Sequence, residues 1–247
     1  MAEEQKSTDV LGIKPFGDAV NTLTKGAVEG AGAFLGRICL PAAGEFGLLL
    51  QDKVRAWRAQ NATRIANKAE ALLKNAHDVH AHPRVVWGVL EHGSWCDEDR
   101  ILSMWAGLLA TACDKEGNDE ANLLFVRILS QLTSSQVRVL NYACEKARVD
   151  KSTGGWIAVD EQIVVGLDEL IEVSGLKDIH RLDLELDQLR DLGLLEPNGG
   201  FQREGPVAVV TPSAVALQLY VKCQGYFGSP LEYFGLSELT TELDGDA

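Results

Sequence analysis

The sequence lacks the short motifs that mark the common catalytic sites. It contains no P-loop, no nucleophile elbow, no dinucleotide-binding fingerprint, no deaminase signature and no HExxH pair. Its five cysteines are far apart and form no CxxC pair, which argues against a zinc ribbon and a disulfide framework. They are predicted to be small buried residues in a reducing compartment. We therefore predict no catalytic residue, no metal site and no cofactor, and expect that the protein is not an enzyme.

The chain also lacks an excess of positive charge. Its 247 residues carry a net charge of −13, which divides into +2 for residues 1–76 and −15 for the remainder. A protein this acidic repels a phosphate backbone unless it presents a local basic face. We therefore do not expect a nucleic acid partner, and we expect contacts with another protein or with further copies of the chain.

A hydrophobic run long enough to cross a bilayer is missing as well. The stretch GAVEGAGAFLGRICLPAAGEFGLLL (residues 26–50) is broken by three charges and a proline, whereas a span needs about 20 apolar residues. The charges cost about 8–10 kcal/mol on insertion, and the strongly apolar residues return only about 3–5 kcal/mol. Because the start of the chain, MAEEQKSTDV, lacks the basic patch and apolar core of a secretory signal, we expect the protein in the cytoplasm.

Glycines are plentiful in this stretch, and their spacing is regular. Gly26 and Gly30, and again Gly32 and Gly36, are four residues apart and share a face if the segment is helical. Small residues at this spacing allow two helices to approach closely, in lipid or in a soluble core. Two interpretations stay open: a tightly packed soluble hairpin, or a segment that inserts into or lies on a membrane after a trigger.

Residues 52–76, DKVRAWRAQNATRIANKAEALLKNA, predict a basic amphipathic helix. Its apolar stripe comprises Val54, Trp57, Ile65, Ala69 and Leu72, and Asn61 interrupts it. Its predicted basic face comprises Lys53, Arg55, Arg58, Arg64 and Lys68. Such a face is compatible with peripheral binding to an anionic surface at the inner membrane. We favour the alternatives that the face is solvated or pairs with acidic parts of the same protein.

Three further helices are predicted, over residues 83–94, 97–113 and 119–132. The carboxylates of Asp97, Glu98 and Asp99 begin the second of these, where they favour the helix N-terminus electrostatically, and adjacent residues point in different directions around a helix. Short-spaced histidines lie in the connector before the first helix. We interpret them as loop residues, not as metal ligands; they are His77, His80 and His82.

Three segments in this order are similar to a known family. They are RAWRAQNATRIANKAEALL, PRVVWGVLEHGSWCDEDRILSMWAGLLATACD and FVRILSQLTSSQVRVL. Together they resemble the bacterial Abi-alpha family, and the resemblance runs from about Gly44 to Gly225. It implies an association with abortive infection, in which an infected cell is sacrificed or arrested to stop a phage. The family brings no established catalytic residues that transfer to positions in this chain.

From Thr133 onwards the pattern changes to helix, helix, helix, hairpin, helix, which is the order of a winged helix. The first helix begins with a capping box of Thr133 and Gln136. The third has a predicted core stripe of Ile179, Leu182, Leu186 and Leu189. Residues 177–192, the presumed recognition helix, carry five carboxylates against three basic residues. Because a major-groove helix presents basic or amide side chains to DNA, we expect this domain to bind protein or to oligomerise.

The sequence therefore predicts a mainly α fold, in which an N-terminal helical bundle precedes a C-terminal winged-helix (α+β) domain. We expect a flexible N-terminus over residues 1–16, a helical domain over 17–131, a winged-helix-like domain over 132–225 and an acidic tail over 226–247. The predicted function is non-enzymatic anti-phage defence through protein contacts. A sharper version adds a conditionally membrane-active segment, and the alternative is a winged-helix DNA-binding transcriptional regulator.

Overall fold

A computed structural model describes residues 25–38, 53–74, 78–150, 156–203 and 205–236. Helices dominate these residues, which confirms the mainly α prediction. The chain forms two compact units, Met1–Val126 and Arg127–Ala247. The division falls within a helix that ends at Gln131, the last residue of the predicted helical domain. The predicted flexible residues 1–16 and the end of the acidic tail lie outside the described residues.

The first unit is built from helices with one small antiparallel strand pair. Its elements are α1 (Lys25–Ile38), α2 (Lys53–Leu72), β1 (His80–Ala81), α3 (Pro83–Gly93), α4 (Asp99–Thr111), β2 (Cys113–Asp114) and the first part of α5 (Leu123–Gln131). Strands β1 and β2 pair with His80 opposite Asp114.

Helix α2 is central to the first unit, because it packs against both α1 and α4. Its buried face is made of small residues around one large one: Ala59, Ala62, Ile65, Ala66 and Ala69 are all fully buried. Small side chains bring the helix axes close together while still filling the space between them. The predicted stripe is wrong at its start, since Val54 and Trp57 are exposed.

The four glycines of the predicted packing face do not share one environment in α1, since Gly30 is exposed and Gly32 is buried. A Cβ atom added at Gly30 or Gly32 would meet nothing within 4 Å among the described residues. Gly36 is half-buried, and Gly26 lies in the first turn of the helix. Four apolar side chains of α1 are buried as well: Ala31, Phe34, Leu35 and Ile38. A close helix approach at the four glycines stays a prediction.

The second unit contains helices around a three-stranded antiparallel sheet. After α5 its elements are α6 (Ser134–Lys146), β3 (Val164–Gly166), α7 (Leu167–Ser174), α8 (Ile179–Asp191), β4 (Gly200–Phe201), β5 (Val207–Val209), α9 (Ala214–Cys223) and α10 (Pro230–Tyr233). The strand order is β3-β5-β4, so that β5 is central, and Ala208 on β5 is opposite both Val165 and Phe201.

The predicted capping box at the start of α6 is present, and it also fixes α8. Gln136 donates its backbone N–H to Thr133 Oγ1 at 3.2 Å, and its side chain accepts from the Thr133 N–H at 2.9 Å. The Thr133 hydroxyl donates to Glu185 Oε2 on α8 at 2.7 Å. The Gln136 amide donates to the Glu185 carbonyl at 3.1 Å. The buried carboxylate of Glu185 is therefore satisfied by a helix cap rather than left unpaired.

Gly93 is a position where the packing of the first unit requires the absence of a side chain. A Cβ atom there would lie 2.7 Å from Ile65 Cδ1 and 2.8 Å from Trp105 Cγ. We expect Gly93→Ala to lower the free energy of unfolding by about 1–3 kcal/mol through overpacking. The matched control is Gly30→Ala, which has open space and should gain about 0.5–1 kcal/mol from helix propensity. Urea denaturation measures both, and equal effects of the two substitutions would contradict this account of the packing.

Candidate functional site

Arg58, a member of the predicted basic face, joins α2 to the end of α3. Its Nη2 donates to Glu91 Oε2 at 2.8 Å and to the Glu91 carbonyl at 3.1 Å, and its Nε donates to Ser94 Oγ at 3.0 Å. Asn61, which interrupts the apolar stripe of α2, donates from Nδ2 to the Ser94 carbonyl at 3.1 Å. The Arg58 side chain is only 12% exposed. The planar guanidinium thus satisfies several acceptors at once, as arginine does better than lysine.

Two tryptophan rings lie exposed beside this arginine. Trp95 is 53% exposed and Trp57 is 37% exposed. Their ring centroids are 6.3 Å apart with the planes inclined at 60°, and Arg58 Cζ lies 4.4 Å from the centroid of Trp95. Val54, also exposed, lies one turn before Trp57 on α2. We call the surface formed by Val54, Trp57 and Trp95 the aromatic platform.

The aromatic platform has the physical properties of a binding surface. Tryptophan and arginine are enriched at the energetic centres of protein interfaces, and tryptophan offers a large contact area with few rotatable bonds. Here the cation–π contact of Arg58 and its hydrogen bonds to the end of α3 hold the Trp95 side of the platform in place. The platform is therefore organised before a partner arrives, which lowers the entropy cost of binding.

Two further cations of the basic face, Arg64 and Lys68, are paired within the first unit. Arg64 Nη2 and Lys68 Nζ donate to the two carboxylate oxygens of Asp99, at 3.0 and 3.1 Å. Arg64 also donates from Nη1 to the Asp97 carbonyl at 3.2 Å. Arg55 is exposed, and Lys53 begins α2. Three of the five predicted cations therefore bind the α3–α4 region instead of facing an external anion.

Two carboxyl groups of the first unit are held ionised by their surroundings. Hydrogen bonding and charge from Lys68, with a further contribution from Arg64, lower the pKa of Asp99. The backbone N–H groups of Gly117 and Glu116 donate to Asp114 and lower its pKa in the same way. Neither group is tuned toward proton transfer near neutral pH, which is what general acid–base catalysis requires.

The described thiols and one phenol are held protonated. Burial raises the pKa of Cys113 to about 12 and raises the pKa values of Cys144 and Cys223 as well. These three cysteines are buried, as predicted, while Cys96 is half-buried and Cys39 lies outside the described residues. Burial and a 2.6 Å hydrogen bond to Glu169 raise the pKa of Tyr142 to about 12. Thiols in this state are poor nucleophiles.

The histidine segment is part of the connection into α3. His82 is the N-cap of α3, where its Nδ1 accepts from the Arg84 N–H at 3.3 Å and lies 3.5 Å from Glu120 Oε1. His80 is in strand β1, with Nε2 at 3.8 Å from Asp78 Oδ1. His77 lies outside the described residues. Within the described part of the chain, no three metal-ligating side chains are grouped closely enough to hold an ion.

No helix in the described residues combines the length and the hydropathy needed to cross a bilayer.

Helix α8 of the second unit differs from the predicted core stripe at one position. Leu182, Leu186 and Leu189 are fully buried as predicted, whereas Ile179, the first residue of the helix, is exposed. Leu184, which sequence periodicity did not single out, is 68% exposed. The spacing in the sequence predicts this exposure. Leu184 lies two residues from both Leu182 and Leu186, so it points to the opposite side of the helix.

The comparison with known families gives one result. The sequence model of the family described as abortive infection alpha matches residues 58–206. The match begins at Arg58 and includes Trp95, Asp99 and the whole of α8, while Trp57 and Val54 lie immediately before it. No curated protein and no solved structure matches the chain.

The paired carboxylate of Asp99 makes a pH-dependent contribution to stability. Because its pKa is lowered in the folded protein, the contribution is present above its unfolded pKa of about 3.9 and is lost as pH falls through the folded value. We expect Asp99→Asn to lower the thermal midpoint at pH 7 and to match the wild type near about pH 2. Asp97→Asn is the control, because Arg64 binds the Asp97 backbone carbonyl. Equal midpoints for Asp99→Asn and wild type at pH 7 would contradict the pairing.

Proposed function

The chain belongs to the abortive infection alpha family, and from this membership we propose that it is a bacterial defence protein that limits phage growth through protein contacts. We place this activity in the cytoplasm and propose that it requires no catalysis. Family membership supports the defence role. The aromatic platform is the observation that carries the protein-contact mechanism, because it is an exposed and preorganised surface of the residue types that bind proteins.

The exposed area of the aromatic platform is large enough for the energetic centre of a protein interface. A tryptophan side chain buries at most about 250 Å², and the exposed fractions of Trp57 and Trp95 therefore leave roughly 200 Å² to be covered. At about 25 cal/mol per Å², covering this area contributes about 5 kcal/mol before the costs of association. A partner that covers both rings would thus gain enough for the platform to act as the energetic centre of a larger interface.

The absence of catalysis is supported by the states of the ionisable groups. Buried thiols are held protonated, and the pKa values of Asp99 and Asp114 are lowered. Functional acids, bases and nucleophiles are usually shifted the other way, toward neutral pH. These shifts are those of a structural protein and support action by binding.

We infer a winged-helix arrangement for the second unit from its element order and sheet. The order α6, β3, α7, α8, β4, β5, α9 with strands arranged β3-β5-β4 supports it. This topology also favours the alternative function, a DNA-binding regulator, in which α8 would enter the major groove. The charges of α8 oppose that alternative. Arg190 is committed to Asp187 at 2.7 Å and to the Gly199 carbonyl at 3.1 Å, and the exposed centre of the helix is Leu184.

A sharper version of the proposal adds a conditionally membrane-active segment. The contacts within the first unit determine how much free energy the release of this segment would require. Release of α2 would separate Arg58 from Glu91 and would take Asp99 from its two cations. It would also expose the fully buried side chain of Ile65. A trigger would have to supply this free energy, so the geometry supports protein contacts by the folded unit better than membrane insertion.

Plaque assays test the proposed defence role and the aromatic platform together. Cells that express the wild-type chain should form fewer plaques than cells without it, with growth of the infected culture followed in parallel. Trp57→Ala and Trp95→Ala should restore plaque numbers, because each removes part of the binding surface. Trp87→Ala is the matched control, since Trp87 is 49% exposed on α3 and belongs to no ring contact among the described residues. It should keep protection.

The outcomes of the plaque assay are distinct. Unchanged plaques with the wild-type chain would contradict the defence role. Full protection by both platform variants, at wild-type protein levels, would contradict the platform and leave the defence role in place.

A binding panel with the full chain tests the two alternative partners. We expect no salt-dependent binding to duplex DNA at physiological ionic strength, because the net charge is −13 and α8 presents carboxylates. We also expect no co-sedimentation with anionic vesicles, because three cations of α2, Arg58, Arg64 and Lys68, are paired with carboxylates. Binding to DNA with a steep salt slope would support the regulator, and vesicle binding that increases in Asp99→Asn would support the membrane-active version.

A further inference from the structure

Strand β3 lies at an edge of the sheet in the second unit. On one side its neighbour is β5, which places Val164 opposite Val209 and Gly166 opposite Val207. On the other side, no strand among the described residues pairs with it. A sheet edge of this kind presents backbone donors and acceptors with which another chain can pair.

The hydrogen bonds between β3 and β5 show which backbone groups of β3 face the open side. The Val210 N–H donates to the Ile163 carbonyl at 2.9 Å. Four residues further along β3, the Leu167 N–H donates to the Pro206 carbonyl at 2.9 Å. In an antiparallel ladder, pairs that exchange hydrogen bonds alternate with pairs that do not. The N–H and C=O groups of Val164 therefore point away from β5.

The outward groups of this edge are accessible to another chain. Val164 is 54% exposed, and Gln162, two residues earlier and so in the same orientation, is exposed as well. In the part of the chain that the structure describes, no backbone group pairs with the N–H or C=O of either residue on the open side. An extended peptide that lies antiparallel to β3 can therefore exchange hydrogen bonds with both residues and add a strand to the sheet.

The segment that contains β3 is acidic. Residues 156–176 include no lysine or arginine, and they carry five carboxylates, all on exposed residues: Asp160, Glu161, Asp168, Glu169 and Glu172. Two arginines contact the segment at its two ends. The Arg148 carbonyl accepts from the Asp160 N–H at 2.8 Å, and Arg138 donates to the Ser174 carbonyl. The carboxylates outnumber these arginines, so the edge attracts a positively charged chain.

We propose that β3 is a docking edge for a basic, extended segment of a partner protein, which joins the sheet as a fourth strand. The backbone hydrogen bonds hold the segment, and the carboxylates around β3 select its positive charge. Two copies of β3 are a poor match for each other, because pairing them brings the same carboxylates together. This surface belongs to the second unit and is separate from the aromatic platform, so its failure would leave the plaque result untouched.

Fluorescence anisotropy of the full chain with a labelled peptide tests the strand addition. The probe is a peptide of about eight residues that alternates lysine and valine, because valine favours strands and lysine supplies the charge. The control peptide has the same lysines but proline at each valine, which removes N–H donors and disfavours a strand. The wild type should bind the probe at least about tenfold more tightly than the control. Equal affinities, or no binding of the probe, would overturn the proposal.

Val164→Pro tests the backbone of β3 itself. Proline removes the N–H that points to the open side, and the hydrogen bonds to β5 are kept because they belong to the neighbouring residues. Binding of the probe should weaken at least about tenfold. Val164→Thr keeps the N–H and the strand propensity and should bind like the wild type. Thermal unfolding checks that both variants are folded, and a folded Val164→Pro that binds the probe normally would contradict the proposal.

The charge of the edge is tested by a matched pair of neutralising variants. Asp160→Asn should weaken binding of the probe by about twofold to fivefold, whereas Asp183→Asn, an exposed position on α8, should not change it. Equal effects of the two variants would assign the attraction to the net charge and not to β3. Sedimentation velocity tests the other occupant. A wild-type dimer that Val164→Pro abolishes would make a second copy the partner and would overturn the choice of a basic segment.

Discussion

The stability of the first unit depends on the contacts that satisfy the buried guanidinium of Arg58. Its guanidinium reaches Ser94 and Glu91 across the α2–α3 contact and lies against the ring of Trp95. Removing any one partner would leave charge in a largely dry environment, which costs more than the loss of one hydrogen bond. The same group therefore fixes the angle of two helices and the position of an exposed ring, so stability and the proposed binding surface share one set of contacts.

Because many charges are paired, the acidic net composition does not give the charge of each surface of the protein. On α2, three of the five cations of the predicted basic face pair with Asp99 and Glu91, which lie in the acidic part of the sequence after residue 76. On α8, Arg181 pairs with Glu185 and Arg190 pairs with Asp187 within the helix. Net charge alone predicts a protein partner and no nucleic acid partner. The arrangement of a few charges on a helix decides what that surface can bind.

The sequence was sufficient for features that local chemistry determines. Helix periods, the Pro83 start of α3 and the capping box at Thr133 all follow from residues within one or two turns of each other. The pairing of Arg58 with Ser94 joins residues 36 positions apart, and no periodicity indicates such a distance. Trp57 fitted the apolar stripe of α2 but is exposed, because the stripe continues beyond the area that α1 and α4 cover. The period of the apolar residues shows which side of a helix is buried. It does not show how far along the helix the neighbouring helices extend.

The cap of α6 has a consequence for how the second unit folds. Thr133 starts one helix and donates to the buried Glu185 of another, 52 positions away. The capping box itself is local, but the contact with Glu185 forms only when α8 has docked, so α6 cannot reach its final stability before then. Formation of α6 and docking of α8 are therefore thermodynamically linked, and the two helices should gain protection from hydrogen exchange as one cooperative foldon.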